Sequence, residues 1–191
     1  VIRRLFAACV AALALLAGPA KPLPGECVPW QGIFISVAGS RWIDRAAQVQ
    51  AESGYNADAQ SWIVNKQGQR VPCAFGPSQF TPPTWAIWAK PPSAKPSNVP
   101  VALDAQHRYM LWLEARTHGL DQALGSYNAG LGSILKAQRM ADSIGLADSQ
   151  AWLRTLPRVT GDAHAGETRG YIENNARYRA QIRARYAARQ S

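Results

Sequence analysis

The sequence predicts a mainly α-helical domain carrying one small β-hairpin, and three observations predict it. Apolar residues recur at helical spacing in segment after segment between 40 and 186, whereas loose alternation is confined to 61–71 (SWIVNKQGQRV). The chain has 191 residues, 47% of them hydrophobic, which is enough for a packed core without help from disulfides. Neither an internal repeat nor a heptad run competes with that pattern.

Residues 1–20 are organised differently from the rest. Arg3 and Arg4 precede an uncharged run, LFAACVAALALL, and Gly18, Pro19 and Ala20 then supply small residues at cleavage spacing. This is the layout of a secretory signal peptide, because the run is shorter than the roughly 20 residues that a membrane-spanning helix needs. The other reading is a weak, temporary tether to the inner membrane that stays on the protein. Either one places the protein in the periplasm or cell wall. In that oxidising setting Cys9 belongs to the leader, so Cys27 and Cys73 remain as the disulfide candidate, against the alternative of two buried thiols. An attached leader would let Cys9 compete for one of them. Residues 21–39 form a lead-in, and the domain is expected over 40–191.

Within 40–53, Trp42, Ile43, Ala46, Ala47 and Val49 follow helical spacing, and Gly54 stands where a left-handed residue would end the helix. At about 100° per residue, Glu52 falls on the shoulder of that apolar stripe, where partial desolvation raises a carboxyl pKa. The hairpin turns at 65–68. Thr81, followed by Pro82 and Pro83, is a helix start with the hydroxyl as cap. The stretch 91–100 (PPSAKPSNVP) is a proline-rich loop with no core-forming pattern. A helix over 103–118 closes at Gly119, and Asp121 caps a short one ending near Tyr127. Further helices are expected at 131–141 and 149–153, and a long arginine-rich one from Glu167 to the end, with Tyr171, Tyr178, Ile182 and Tyr186 turned inward.

Lys and Arg number 21 against 12 Asp and Glu, a net charge of +9, which excludes an acidic disordered chain and points to a polyanionic partner. The last helix holds much of the surplus: Arg169, Arg177, Arg179, Arg183, Arg185 and Arg189 face one acid, Glu173. A solvated face explains them as well as attachment to a carboxylate-bearing wall or anionic lipid does. The sequence has no groove-reading motif, so nucleic acid is not the expected partner. His107, His118 and His164 are scattered, and no metal or other cofactor is expected. A monomer is.

Four short motifs carry the chemistry. Glu52-Ser53-Gly54-Tyr55-Asn56 runs on to Ala59-Gln60-Ser61. Gly76-Pro77-Ser78-Gln79-Phe80 leads into the Thr81 helix. Ala123-Leu124-Gly125-Ser126-Tyr127-Asn128-Ala129-Gly130 and Glu167-Thr168-Arg169-Gly170-Tyr171-Ile172 follow. Each alone reads as a helix end, a loop or a helix start. In this order they resemble the lysozyme-like lytic transglycosylases of the soluble (Slt) type, relatives of goose-type lysozyme, across 42–177. Three departures stand out: Pro77 and Ser78 replace the family's usual Leu and Met, Ser126 its usual Ala, and the loop at 91–100 looks like an insertion.

The resemblance implies a lysozyme-like fold and cleavage of the β-1,4 bond between N-acetylmuramic acid and N-acetylglucosamine in peptidoglycan. It implies Glu52 as catalytic acid and base, Tyr171 as the hydroxyl that holds it, and Ser53 as a residue that orients groups around it. Gln79 and Asn128 would bind sugar, and Tyr127 would form an aromatic wall. No second acid stands in an obvious motif. Asp58 and Asp104 are the nearest candidates, with capping or helix-surface roles as the alternative. A single acid fits ring closure to 1,6-anhydromuramic acid without water, with muramidase hydrolysis as the competing outcome. A wall-binding part without activity, in a virion or secretion apparatus, is a reading of another class. The weakly apolar leader also resembles the signal-arrest-release segment of some phage endolysins.

Overall fold

The computed structural model describes residues 18–65 and 67–191, so the apolar run LFAACVAALALL with Cys9, and with it the expected leader, falls outside the described residues. The chain is mainly helical with one hairpin, as its periodicity predicts. In order it forms α1 (Gln31–Ala38), a 3-10 turn (Gly39–Arg41), α2 (Trp42–Ser53), β1 (Gln60–Val64), β2 (Arg70–Phe75) and α3 (Pro82–Trp88). Then come α4 (Val99–Glu114), α5 (Leu120–Ala129), α6 (Leu131–Ser143), α7 (Ala151–Thr155), α8 (Pro157–Thr160) and α9 (Asp162–Ala187). No helix among the described residues is long and apolar enough to cross a membrane.

Two compact units divide the chain: residues 18–109 with Asn175–Ser191, and Met110–Asn174. The first is built on α2. Ala46, Ala47 and Val49 are fully buried in a cluster with Cys27, Phe34, Trp42, Tyr55, Leu103 and Ile182. Two adjacent alanines let neighbouring chain approach α2 closely, and Tyr186 packs edge-on against Trp42 at 5.2 Å, so Tyr178, Ile182 and Tyr186 of the expected α9 stripe turn inward. A second cluster gathers Phe80, Trp85, Ala89, Ala102 and Ala105, with Tyr109 packed against it.

The proline-rich segment is held at three points in this unit. Trp85 Nε1 donates to the Ala94 carbonyl at 2.9 Å. Asn98 Oδ1 accepts from the Val101 amide at 3.3 Å, which caps α4. The Pro96 carbonyl lies against Gly76, so close that a Cβ at position 76 would sit 2.1 Å from its oxygen.

In the other unit Trp152 is completely buried with Leu124, Ile134 and Leu156. Thr155 Oγ1, also buried, sits 2.6 Å from the Ala137 carbonyl and joins α7 to α6. Ahead of α7, a hydrogen bond from Arg154 holds the exposed Asp148 carboxyl below the usual carboxylate range.

Several local expectations are corrected. Cys27 and Cys73 do not pair. Cys27 is a free thiol within the apolar cluster under α1 and α2. Cys73 is disulfide-bonded and stands at the hairpin's bulge, where Ser61 faces Ala74 and Trp62 faces Pro72. Thr81 precedes α3, but its hydroxyl meets that of Thr84 at 2.9 Å and caps no backbone amide. Gly119, not Asp121, is the N-cap of α5; Asp121 lies in its first turn and accepts from Gln150 Nε2 at 3.2 Å. Helix α4 starts earlier than its apolar pattern because Pro100 fits a first helical turn, and α9 starts at Asp162, ahead of its aromatic stripe.

Burial pushes the Cys27 thiol above its ordinary 9.0 and the Tyr55 phenol well above its ordinary 10.0. Both are held neutral in the fold and ionise more readily unfolded. Their contribution is therefore intact below about pH 8.5 and is lost as pH rises, first through the thiol and then, above about 10, through the phenol. Melting temperature followed from pH 7 upward should be level and then fall, with Cys27→Ala flattening the first part of the decline; a flat profile to pH 11 would contradict neutral burial. Gly76→Ala combines a left-handed backbone, φ 75°, with the Pro96 contact. It should cost about 3 kcal/mol or more in urea unfolding, since overpacking and the left-handed penalty add.

Candidate active site

Glu52 occupies the last turn of α2 and is half-buried. Arg45 and Gln48 precede it by seven and four positions, so the three share a helix face, and both are buried. The Arg45 Nε donates to His107 Nδ1 at 3.4 Å. A basic group is thus buried on the face that carries Glu52, and the sequence reading does not single it out. Its signal is the spacing of polar residues at three and four positions within an otherwise apolar helix.

The helix stops one residue beyond the acid. Ser53 is buried and donates its hydroxyl proton to the Val49 carbonyl at 3.2 Å, inside the helix, rather than to a group around the acid. Gly54 has φ 60° and its amide returns to Gln50 at 3.1 Å. Tyr55 is also left-handed, φ 64°, which a bulky residue adopts only under constraint. The constraint is visible. Its ring packs edge-on against Trp30 and Phe34, and its hydroxyl donates to the Ala46 carbonyl at 3.1 Å.

Asn56, fully buried, turns the chain next, its Oδ1 accepting from the Asp58 amide at 3.0 Å. This leads to Ala59, where the first motif meets the second. The Ala59 carbonyl accepts the Gly76 amide at 2.8 Å and Gln79 Nε2 at 3.1 Å. Gln79 Nε2 also donates to the Gly76 carbonyl at 2.8 Å, and its Oε1 accepts a short hydrogen bond from Ser61. Phe75 and Phe80 close the turn by exchanging backbone hydrogen bonds at 3.0 Å. Gln79 itself is left-handed, φ 47°, so its side chain offsets its own backbone strain. Both of its amide protons are committed to the loop, and one oxygen lone pair is left for a ligand. Pro77 and Ser78 lie buried within that turn.

In the other unit Tyr127 and Asn128 stand near the end of α5, and Tyr171 stands on α9; all three are half-buried. Here the third motif meets the fourth. Thr168 Oγ1 lies 2.8 Å from Asn128 Oδ1 and 2.9 Å from the His164 carbonyl, and Thr168 is fully buried. Sequence reading missed this residue because a threonine inside a helix looks like ordinary surface or core. Glu167, beside it, pairs with His164 Nδ1 at 3.3 Å.

Thus Glu52, Ser53 and Gln79 belong to one unit, and Tyr127, Asn128 and Tyr171 to the other. Of the two further acids, Asp104 is occupied by Arg108, which approaches to 2.8 Å through Nη2 and 3.0 Å through Nε. Asp58 is exposed. Among the described residues no three His, Cys, Asp or Glu side chains converge in a way that could hold a metal ion.

Two comparisons with known proteins bear on this arrangement. No curated protein matches the chain. The profile of the family described as Transglycosylase SLT domain matches residues 46–146, more than half of the chain. That span takes in Glu52, Ser53, Gln79, Tyr127 and Asn128 and ends before Tyr171. The chain therefore belongs to the SLT transglycosylase domain family, and its activity is of the lytic transglycosylase type, directed at peptidoglycan.

Proposed function

We propose that the protein is an exported peptidoglycan lytic transglycosylase in which Glu52 alone supplies the acid and base. The observation that carries this is the placing of Glu52: a half-buried carboxyl in the final turn of α2, inside the family match, with the chain reversed immediately behind it by Gly54 and Tyr55. A carboxyl fixed at a helix end on a rigid turn suits a group that must deliver a proton and take one back at nearly the same place. Tyr171 is the proposed hydroxyl partner of the acid, and Tyr127, Asn128 and Gln79 are the proposed sugar contacts.

Ordinary glycosidases work with two carboxyls, about 5 to 5.5 Å apart when retaining and about 6.5 to 9.5 Å apart when inverting. Pairing of Asp104 with Arg108 supports a structural role for that acid and so supports the one-carboxyl route. In that route Glu52 protonates the oxygen leaving the anomeric carbon of muramic acid while the 2-acetamido oxygen bonds to that carbon. The Glu52 carboxylate then accepts the C6 hydroxyl proton as O6 displaces the acetamido oxygen. The products are a 1,6-anhydromuramic end and a free 4-hydroxyl on glucosamine; no water enters. We place the work in the periplasm or wall, with lysis of a host cell as an endolysin the leading biological role, on the strength of the leader over 1–20.

Glu52→Gln should lower the release of soluble fragments from purified peptidoglycan by about 10² to 10⁴-fold, the usual worth of general acid and base catalysis, while sedimentation with the wall persists. Undiminished release would move catalysis to another group. Wild-type protein that binds the wall and releases nothing would make it a binding component. Mass spectrometry of the wild-type digest should find muramic ends lacking one water relative to reducing sugar. Reducing ends instead would make the enzyme a hydrolytic muramidase.

A further inference from the structure

We infer that Thr168 is a positioning residue that fixes the Asn128 amide with its oxygen turned outward, as an acceptor for an N–H or O–H of the glycan. The inference deepens the transglycosylase reading and rests on it for the identity of the ligand.

A threonine hydroxyl has a single proton, yet Thr168 Oγ1 lies within hydrogen-bond distance of two oxygens, Asn128 Oδ1 at 2.8 Å and the His164 carbonyl at 2.9 Å. It can donate fully to only one. Inside a helix the natural recipient is the carbonyl four residues back, and His164 is that residue. With the proton committed there, an oxygen of Asn128 facing Oγ1 would set two lone pairs against each other at 2.8 Å, beside a threonine that no water reaches. Rotating the amide by 180° removes the conflict without moving any atom far, because its oxygen and nitrogen have nearly the same shape. Nδ2 then donates to Oγ1. Oδ1 leaves the protein side, on a residue that is only half-buried. The buried hydroxyl thereby passes the direction of the α9 helix to a side chain on α5, and the amide presents one defined acceptor in place of two exchangeable faces.

The position calls for a hydroxyl. Valine has its shape and neither lone pair nor proton, so Asn128 would lose its anchor and turn freely. Serine keeps both functions.

Two measurements test the inference. In substrate-free protein labelled with ¹⁵N, one side-chain amide proton of Asn128 should exchange slowly with water, and Thr168→Val should abolish that protection while Thr168→Ser keeps it. Fast exchange of both protons in the wild type would overturn the proposal, since that is the behaviour of an outward-facing Nδ2. Kinetically, on soluble uncrosslinked peptidoglycan strands, Thr168→Val should raise KM about three- to tenfold, the scale of one hydrogen bond, with kcat held within about twofold. Thr168→Ser should stay within about twofold in both. Equal losses in the two variants, or a fall in kcat at constant KM, would reject positioning in favour of a packing role. Because the amide measurement needs no substrate, a wild type inactive on peptidoglycan would sink the functional reading while the orientation of Asn128 is still decided by exchange.

Discussion

Helix α2 has to stop within one residue of Glu52, and two successive left-handed residues, Gly54 and Tyr55, with φ 60° and 64°, are what stop it. Glycine takes that conformation at no steric cost; tyrosine does not. The strain at Tyr55 persists because its ring and hydroxyl are locked by Trp30, Phe34 and the Ala46 carbonyl, so the core of the unit enforces the geometry behind the acid. The consequences run outward along the chain. A reversed backbone carries Asn56 into the interior and brings Ala59 to the Gly76 amide, and from there the hairpin, the Gly76 turn and the proline-rich segment on Pro96 are placed in sequence.

The polar side chains of the motifs divide their capacity between holding loops and meeting a ligand, and most of it goes to the loops. Ser53 and Gln79 are the clearest cases. One hydroxyl proton is given to a helix carbonyl, and both protons of one amide are given to two loop carbonyls. Such groups act on chemistry through placement: a buried hydrogen-bond set that is fully satisfied is stiff, and a stiff turn keeps a neighbouring acceptor or acid where it is needed. Asn128 differs in having a single strong anchor, which is why its outward side remains available.

Legibility from the sequence followed periodicity. Helices α2, α5 and α6, the hairpin, and the inward stripe of α9 were readable because one face of each is apolar and the other is not. The left-handed stop at Gly54 was readable because glycine marks such sites. What failed depends on partners distant in sequence. Nothing local distinguishes a cysteine destined for an apolar cluster from one destined for a disulfide, so Cys27 and Cys73 were joined by parity alone. Thr81 has a capping side chain in a capping neighbourhood, but its hydroxyl meets that of Thr84, and Asp121 lies inside the first turn of α5, past the Gly119 cap. Thr168 was invisible as a functional residue because its meaning lies forty positions away, at Asn128.

The positive charge fits this picture without adding a second site. From the C-terminal half of α9 onward, Arg177, Arg183, Arg185 and Arg189 are exposed, and Arg183 lies 3.9 Å from Asp44, which Arg41 also approaches to 3.8 Å. Pairs of that length at a surface contribute little to stability. A basic face raises the encounter rate with an anionic polymer but cannot choose among polymers, since screened charge reads sign and density rather than sequence or sugar. Selection must then come from groups with fixed direction, such as the Glu52 carboxyl on its stopped helix and the Asn128 amide on its threonine. A net charge of +9 favours approach to an anionic polymer in general; groups of fixed direction decide what can follow.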